Sequence, residues 1–124
     1  MEFVTQEAFE ANLANQSSMT PETLKQLRNY GVTPERRLKL EFFFYTNEAV
    51  KGGALAEELR AKEYTAHCGP SASDASVTVV TGWTAPIPMS TNVVLAWTED
   101  MCRLGFKHDC EFDGWGTNPT QPAA

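Results

Sequence analysis

Cysteine is scarce in this chain. There are 3 such residues, Cys68, Cys102 and Cys110. An odd number without framework spacing argues against a disulfide scaffold, and free thiols in a reducing compartment are the simpler account. Basic residues are also few: 10 Lys and Arg stand against 16 Asp and Glu, for a formal net charge of -6. Affinity for a phosphate backbone comes from clustered Lys and Arg, so no direct nucleic-acid partner is expected, whereas a basic protein is an acceptable one. Long apolar runs are missing, and nothing approaches the ~20 residues of a membrane span. The start, Met1-Glu2-Phe3-Val4-Thr5-Gln6-Glu7, has neither the basic nor the apolar region of a secretory signal, so a cytoplasmic location is expected. Gly-x-Ser-x-Gly, the Rossmann fingerprint and metalloprotease motifs are absent, and Gly52-Gly53 is not followed by the Lys-Ser or Lys-Thr of a phosphate loop.

What is present suits one domain with one core: 124 residues, 42% of them hydrophobic and 21% charged. The chain is organised around Asp109-Cys110-Glu111-Phe112-Asp113-Gly114-Trp115-Gly116-Thr117. Read as a strand, it turns Cys110 and Phe112 to one side and Glu111, Asp113 and Trp115 to the other. Gly114 and Gly116 leave the indole unscreened. A large aromatic beside two carboxylates is a face suited to a partner. The competing reading makes Trp115 a plug for the end of the core, with the glycines merely forming a turn.

The remaining elements follow in order. Phe9 and Leu13 give a weak helical stripe with Thr5 as a cap, broken at Asn15-Gln16-Ser17-Ser18. Thr20-Pro21 reads as a fresh start, for a short helix ending at Gly31. Leu38 to Tyr45 is the strongest strand. Leu38, Leu40, Phe42 and Phe44 are its core face, and Lys39, Glu41, Phe43 and Tyr45 the other. Asn47 caps a helix reaching about Tyr64, with Gly52, Leu55, Ala56 and Leu59 on its inner stripe. Thr65–Cys68 is a short strand, Gly69–Asp74 a loop, and Ser76–Thr81 a strand. Ser90 or Thr91 caps a helix with Val94, Trp97, Met101 and Leu104 as its buried stripe, stopped by a left-handed Gly105. The core is expected to rest on Phe42, Phe44, Leu55, Leu59, Trp97, Met101 and Phe112.

A helix followed by β-α-β-β-α-β predicts an α+β, ferredoxin-like plait: a four-stranded antiparallel sheet, two helices on one face, and an extra N-terminal helix. The expected division is a helical extension at 1–30, the domain at 31–118 and a flexible tail at 119–124. That fold sets the first and last strands side by side. Phe43, Tyr45, Glu111, Asp113 and Trp115 then form one partner-binding patch on the open face of the sheet. A second packed layer over that face is the alternative.

No catalytic residue, metal site or cofactor is indicated. His67-Cys68 and His108-Asp109-Cys110 are zinc-ligand types, but the plait puts them on opposite edge strands, three spacings of ~4.8 Å apart. The same distance rules out a Cys–His nucleophile pair. Glu111 and Asp113 could form a carboxylate pair, yet no histidine or lysine stands poised beside them. Stacking of RNA bases on Phe43 and Tyr45 would need a basic surround, and only Arg36, Arg37 and Lys39 lie nearby.

The C-terminal block resembles the family of regulator of ribonuclease E activity B (RraB). Leu104, Lys107, Asp109, Glu111, Phe112 and the run Asp113-Gly114-Trp115-Gly116-Thr117 carry the likeness. Gly31-Val32-Thr33-Pro34-Glu35-Arg36, leading into an aromatic-rich strand, is similar too, and the likeness spans roughly residues 20–118. It implies a ferredoxin-like, bacterial, cytoplasmic, non-enzymatic regulator. Members of the type form bind and inhibit the endoribonuclease RNase E, altering degradosome composition. RNase E or a similar basic scaffold is thus the implied partner. The chain departs from the type form by ending Asn118-Pro119-Thr120-Gln121-Pro122-Ala123-Ala124 in place of a long acidic tail. The rival readings are an unrelated protein target, a homodimer through the open face, and a small-ligand binder using the patch as a pocket floor.

Overall fold

The computed structural model describes residues 2–121. The elements are α1 (Gln6–Asn29), β1 (Arg37–Leu38), β2 (Leu40–Thr46), α2 (Ala49–Ala61), β3 (His67–Pro70), β4 (Thr78–Trp83), β5 (Ile87–Pro88), α3 (Thr91–Lys107) and β6 (Glu111–Thr117). The protein is α+β, with three helices and a four-stranded antiparallel sheet in the order β3-β4-β2-β6 among the described residues. The first and last long strands, β2 and β6, are neighbours, as the sequence reading required. The short strands β1 and β5 form a separate antiparallel pair that the sequence did not announce.

Alternation along β2 builds the core. Leu40, Phe42, Phe44 and Thr46 are buried, while Glu41, Phe43 and Tyr45 are half-buried. Val80 of β4 and Phe112 of β6 extend the buried layer. The stripes of α2 (Gly52, Leu55, Ala56, Leu59) and α3 (Val94, Trp97, Met101) are buried, and all seven residues expected to form the core are so; Leu104, the fourth residue expected in the α3 stripe, is only half-buried and packs against the edge of the core. Cross-strand rows on the inner side run Phe112–Phe44–Val80–Cys68 and Trp115–Phe42–Gly82. Gly82 lets another segment cross: a Cβ there would lie 2.0 Å from the Thr65 carbonyl oxygen.

The N-terminal region corrects the sequence reading. Asn15–Ser18 does not break the chain, and Thr20-Pro21 starts nothing: α1 is one helix through both, capped by Thr5, whose hydroxyl accepts from the Ala8 N–H at 3.0 Å. Pro21 forfeits one intrahelical bond. Tertiary packing compensates, since Gln16, Thr20, Leu24 and Leu27 are all buried. α1 packs beside α3 and along the outer edge of β6. There the Asn12 side-chain amide donates to the Phe112 carbonyl at 2.9 Å, covering part of an edge that would otherwise be open.

Smaller corrections concern helix ends. Glu48, not Asn47, is the N-cap of α2, without a side-chain bond, and Asn47 accepts from Lys51 Nζ instead. α2 ends at Ala61, short of Tyr64. Gly105 lies inside α3; the left-handed residue is Asp109, at φ 57°. Gly69 and Pro70 belong to β3 rather than to a loop. Residues 122–124 of the expected flexible tail lie outside the described residues. Gln121 itself is tied to Lys39, whose backbone N–H donates to its side-chain oxygen at 2.8 Å.

Candidate protein-interaction face

The outer side of the sheet is set by β2. Residues directly opposite one another on antiparallel strands share a side, so the register gives three outer rows. Glu111, Tyr45, Val79 and Gly69 form the first; Gly114, Phe43, Thr81 and His67 the second; Gly116, Glu41 and Trp83 the third. Phe43, Tyr45, Val79 and Trp83 are half-buried, and none belongs to the core cluster or to the residues packed against it. The result is an aromatic and aliphatic strip on the side of the sheet opposite the one against which α2 and α3 bury their stripes. Glu41 and Glu111 stand in its rows, and the Thr81 hydroxyl, buried within the middle row, makes no hydrogen bond among the described residues.

Of the five residues singled out from sequence, Phe43, Tyr45 and Glu111 come together on this side. Trp115 does not, and the reason is a β-bulge. Phe44 pairs with Phe112 and Phe43 with Gly114, so Asp113 is the extra residue. Gly114 sits at φ 116°, a conformation that L side chains rarely adopt. The inserted residue reverses the alternation beyond it. Trp115 therefore turns inward, edge-to-face with Trp97 at a centroid distance of 6.2 Å. Its indole N–H donates to the Thr20 hydroxyl at 3.0 Å. The expectation that Glu111, Asp113 and Trp115 share a side is thus corrected.

Asp113 is exposed at the bulge, beside a cleft of about 260 Å³ between α1 and the edge of β6 that Phe43, Gln16 and Met19 also line. Partial desolvation there pushes its carboxyl above the ordinary aspartate value. Gly114 and Gly116 contribute bare backbone to the outer rows, so their place beside an aromatic mattered on the side away from Trp115. Sequence reasoning overlooked Val79, Trp83 and His67. The odd-numbered alternation Val79, Thr81, Trp83 was available to identify β4's share of the face.

Of the three basic residues nearest in sequence, Arg36 and Arg37 are already engaged. Arg36 donates to the Gln121 carbonyl at 2.9 Å and Arg37 to the Pro86 carbonyl at 3.3 Å. Among the described residues no group of three or more His, Cys, Asp or Glu could hold a metal ion, and β3 and β6 lie on opposite edges of the sheet. No helix among the described residues is long and apolar enough to cross a membrane.

No curated protein sequence matches the chain. The family model of regulator of ribonuclease activity B matches residues 17–117, from the middle of α1 to the end of β6. With most of its length covered by that match, the chain belongs to the RraB family of regulators of ribonuclease activity.

Proposed function

We propose that this protein is a non-enzymatic, cytoplasmic regulator of an RNase E-type endoribonuclease, acting by direct contact through the outer face of its sheet. The strand order β3-β4-β2-β6 and the β-α-β-β-α-β succession support a ferredoxin-like plait at 31–118 with α1 added from the 1–30 extension. The observation that carries the functional reading is the aromatic strip of Phe43, Tyr45 and Trp83, outside the core cluster and interspersed with Glu41 and Glu111. Aromatics provide contact area at the centre of an interface, and the carboxylates, on a chain of net charge -6, steer a basic segment onto it. Asp113, exposed at the bulge, extends the acidic rim. Trp115 supports the face from beneath.

The same charges disfavour face-to-face homodimers, which would set Glu41 and Glu111 of two copies against each other. The test is calorimetric titration of the protein with the basic, Arg-rich portion of an RNase E-type ribonuclease. Phe43→Ala combined with Tyr45→Ala should weaken binding by at least ~2 kcal/mol, the threshold for a hot spot, with the thermal midpoint recorded on the same variant. Absence of micromolar binding by the unaltered protein refutes the ribonuclease target. Undiminished binding by the folded double variant refutes the surface.

A further inference from the structure

The cleft of about 260 Å³ between α1 and the edge of β6 is lined by two polar side chains that lack partners. Gln16 is the first. It is only 5% exposed, and its carboxamide makes no hydrogen bond among the described residues. The amide reaches toward Gly114, with Oε1 3.5 Å from where a Cβ on that residue would stand. Gly114 also lines the cleft, so the amide is aimed into it. Asp113 is the second. Its carboxylate forms no hydrogen bond or ion pair among the described residues, and no Lys, Arg or His lines the cleft. Desolvation raises its pKa with no cation to offset the rise. Phe43 from the sheet and the exposed Met19 from α1 supply the apolar lining.

A partly dehydrated carboxylate is stabilised by a cation brought beside it. One acidic side chain is too few for a metal ion such as calcium, which takes about 6–8 oxygen ligands. The cleft is also smaller than the roughly 300–1,000 Å³ of sites that enclose a whole small molecule, so a single side chain suits it better. Lysine offers a compact and strongly hydrated charge. Arginine offers a flat, weakly hydrated one that stacks on aromatic rings and presents five donors in a fixed fork. That set matches what the cleft contains: two carboxylate oxygens, one amide oxygen and one phenyl ring. Phe43 belongs both to this cleft and to the middle outer row of the sheet, so the cleft opens onto the aromatic strip.

We propose that this cleft is a subsite for one arginine side chain of the basic partner segment, its guanidinium paired with Asp113, donating to the Gln16 amide oxygen and stacked on Phe43. The source of that arginine rests on the reading of the outer face as the partner surface. The chemistry of the subsite does not, and it is measurable without the ribonuclease.

The probes are the N-acetylated amides of arginine, lysine and citrulline, the last an uncharged copy of the arginine shape. In the ¹⁵N–¹H spectrum of the whole protein, the Gln16 side-chain amide and the Gly114 backbone N–H report on the cleft directly. The arginine probe should move both signals saturably, with half-saturation at or below roughly 10 mM. The lysine probe should bind at least about threefold more weakly, and citrulline should move neither signal. Asp113→Asn removes no hydrogen bond or ion pair among the described residues, so it should fold as the parent does and bind the arginine probe at least about threefold more weakly. Phe43→Leu keeps apolar bulk without the ring and should abolish the preference for arginine over lysine. No saturable movement with arginine up to about 50 mM overturns the proposal, as does unchanged affinity in Asp113→Asn. Equal binding of lysine overturns the guanidinium, and equal binding of citrulline overturns the charge. Ribonuclease binding without a response to the arginine probe removes the subsite and leaves the outer face. A response to the probe without ribonuclease binding keeps the subsite and removes the ribonuclease.

Discussion

The indole N–H of Trp115 donates to the Thr20 hydroxyl at 3.0 Å, and that bond begins a relay with one consistent set of donors. The Thr98 hydroxyl donates back to the Val94 carbonyl at 2.8 Å. Its oxygen is therefore the acceptor in the 2.7 Å contact with Thr20, which leaves the Thr20 oxygen to accept from Trp115. Each hydroxyl donates once and accepts once. The chain of bonds links β6, α1 and α3 with every proton placed.

Breaking the relay in its middle should be costly. Thr20→Val keeps the shape but strands the Trp115 N–H, at a cost of about 1–3 kcal/mol. Trp115→Ala should cost more, about 3 kcal/mol or above, because it also removes an aromatic packed against Trp97 and the core. Urea denaturation would show both as lower midpoints. In Trp115→Ala, any loss of ribonuclease binding should accompany the loss of stability. A variant that binds poorly while remaining as stable as the parent would place Trp115 in the interface after all.

Gly82 offers a steric test of the fold. A methyl group at this position would collide with the Thr65 backbone, the nearest atom lying at 2.0 Å. The obstacle is main chain rather than a movable side chain, so Gly82→Ala should destabilise by at least the ~1–3 kcal/mol typical of overpacking. Gly53→Ala, with nothing within 4 Å of the added carbon, is the matched control on α2 and should be neutral or stabilising. Thermal midpoints of the pair decide it; equal midpoints would mean that the Thr65 crossing is misplaced.

Elements with a strong period were legible in the sequence, and elements fixed by remote packing were not. Leu40, Phe42 and Phe44 alternate with charged and aromatic neighbours, so β2 and its inner face were plain, as was the adjacency of β2 and β6 from the order of elements. The stripes of α2 and α3 were equally clear. α1 was misread because Asn15–Ser18 and Thr20-Pro21 are genuine local stop and start signals. What overrides them is burial of Gln16 and Thr20 against α3 and β6, invisible in a local window. Trp115 was misread for a related reason. Alternation assumes an unbroken strand, and one extra residue at Asp113 reverses every side chain after it. Gly114 was a visible hint of that irregularity, but it could equally have marked a turn.

Thiol chemistry gives an independent check on burial. Burial pushes the Cys102 thiol up to about 12 and the Cys110 thiol up to about 11, and it raises Cys68 as well. Only Cys68 is partly exposed. Because the thiolate is the reactive form, Ellman's reagent at pH 8 should modify one thiol of the folded protein slowly and all three after denaturation. Mass mapping should place the first on Cys68. Rapid labelling of Cys102 or Cys110 in the native protein would contradict the packing of α3 on the sheet.

The last prediction concerns pH and Asp109. Its carboxylate accepts the backbone N–H of Phe3 and of Val4, each at 2.7 Å, and contacts Lys51 Nζ at 2.5 Å. It thereby fastens the start of the chain to the α3–β6 connection. Burial raises the Asp109 pKa, but the Lys51 ammonium and the two N–H groups outweigh it, so the net value falls below that of an ordinary aspartate. In the unfolded chain the group returns to about 3.9. The folded state thus holds the anion more strongly than the unfolded state does. This contribution is complete above the unfolded value and disappears as pH falls through the lower folded value. Asp109→Asn isolates it, because asparagine also tolerates the left-handed backbone found here, at φ 57°. The variant should be less stable than the parent at pH 7, and the gap should close as both are titrated below about pH 4. Thermal midpoints recorded from pH 7 down to about 2.5 would resolve this. A gap that stays constant over the range would show that hydrogen-bond shape, and not charge, is what Asp109 contributes.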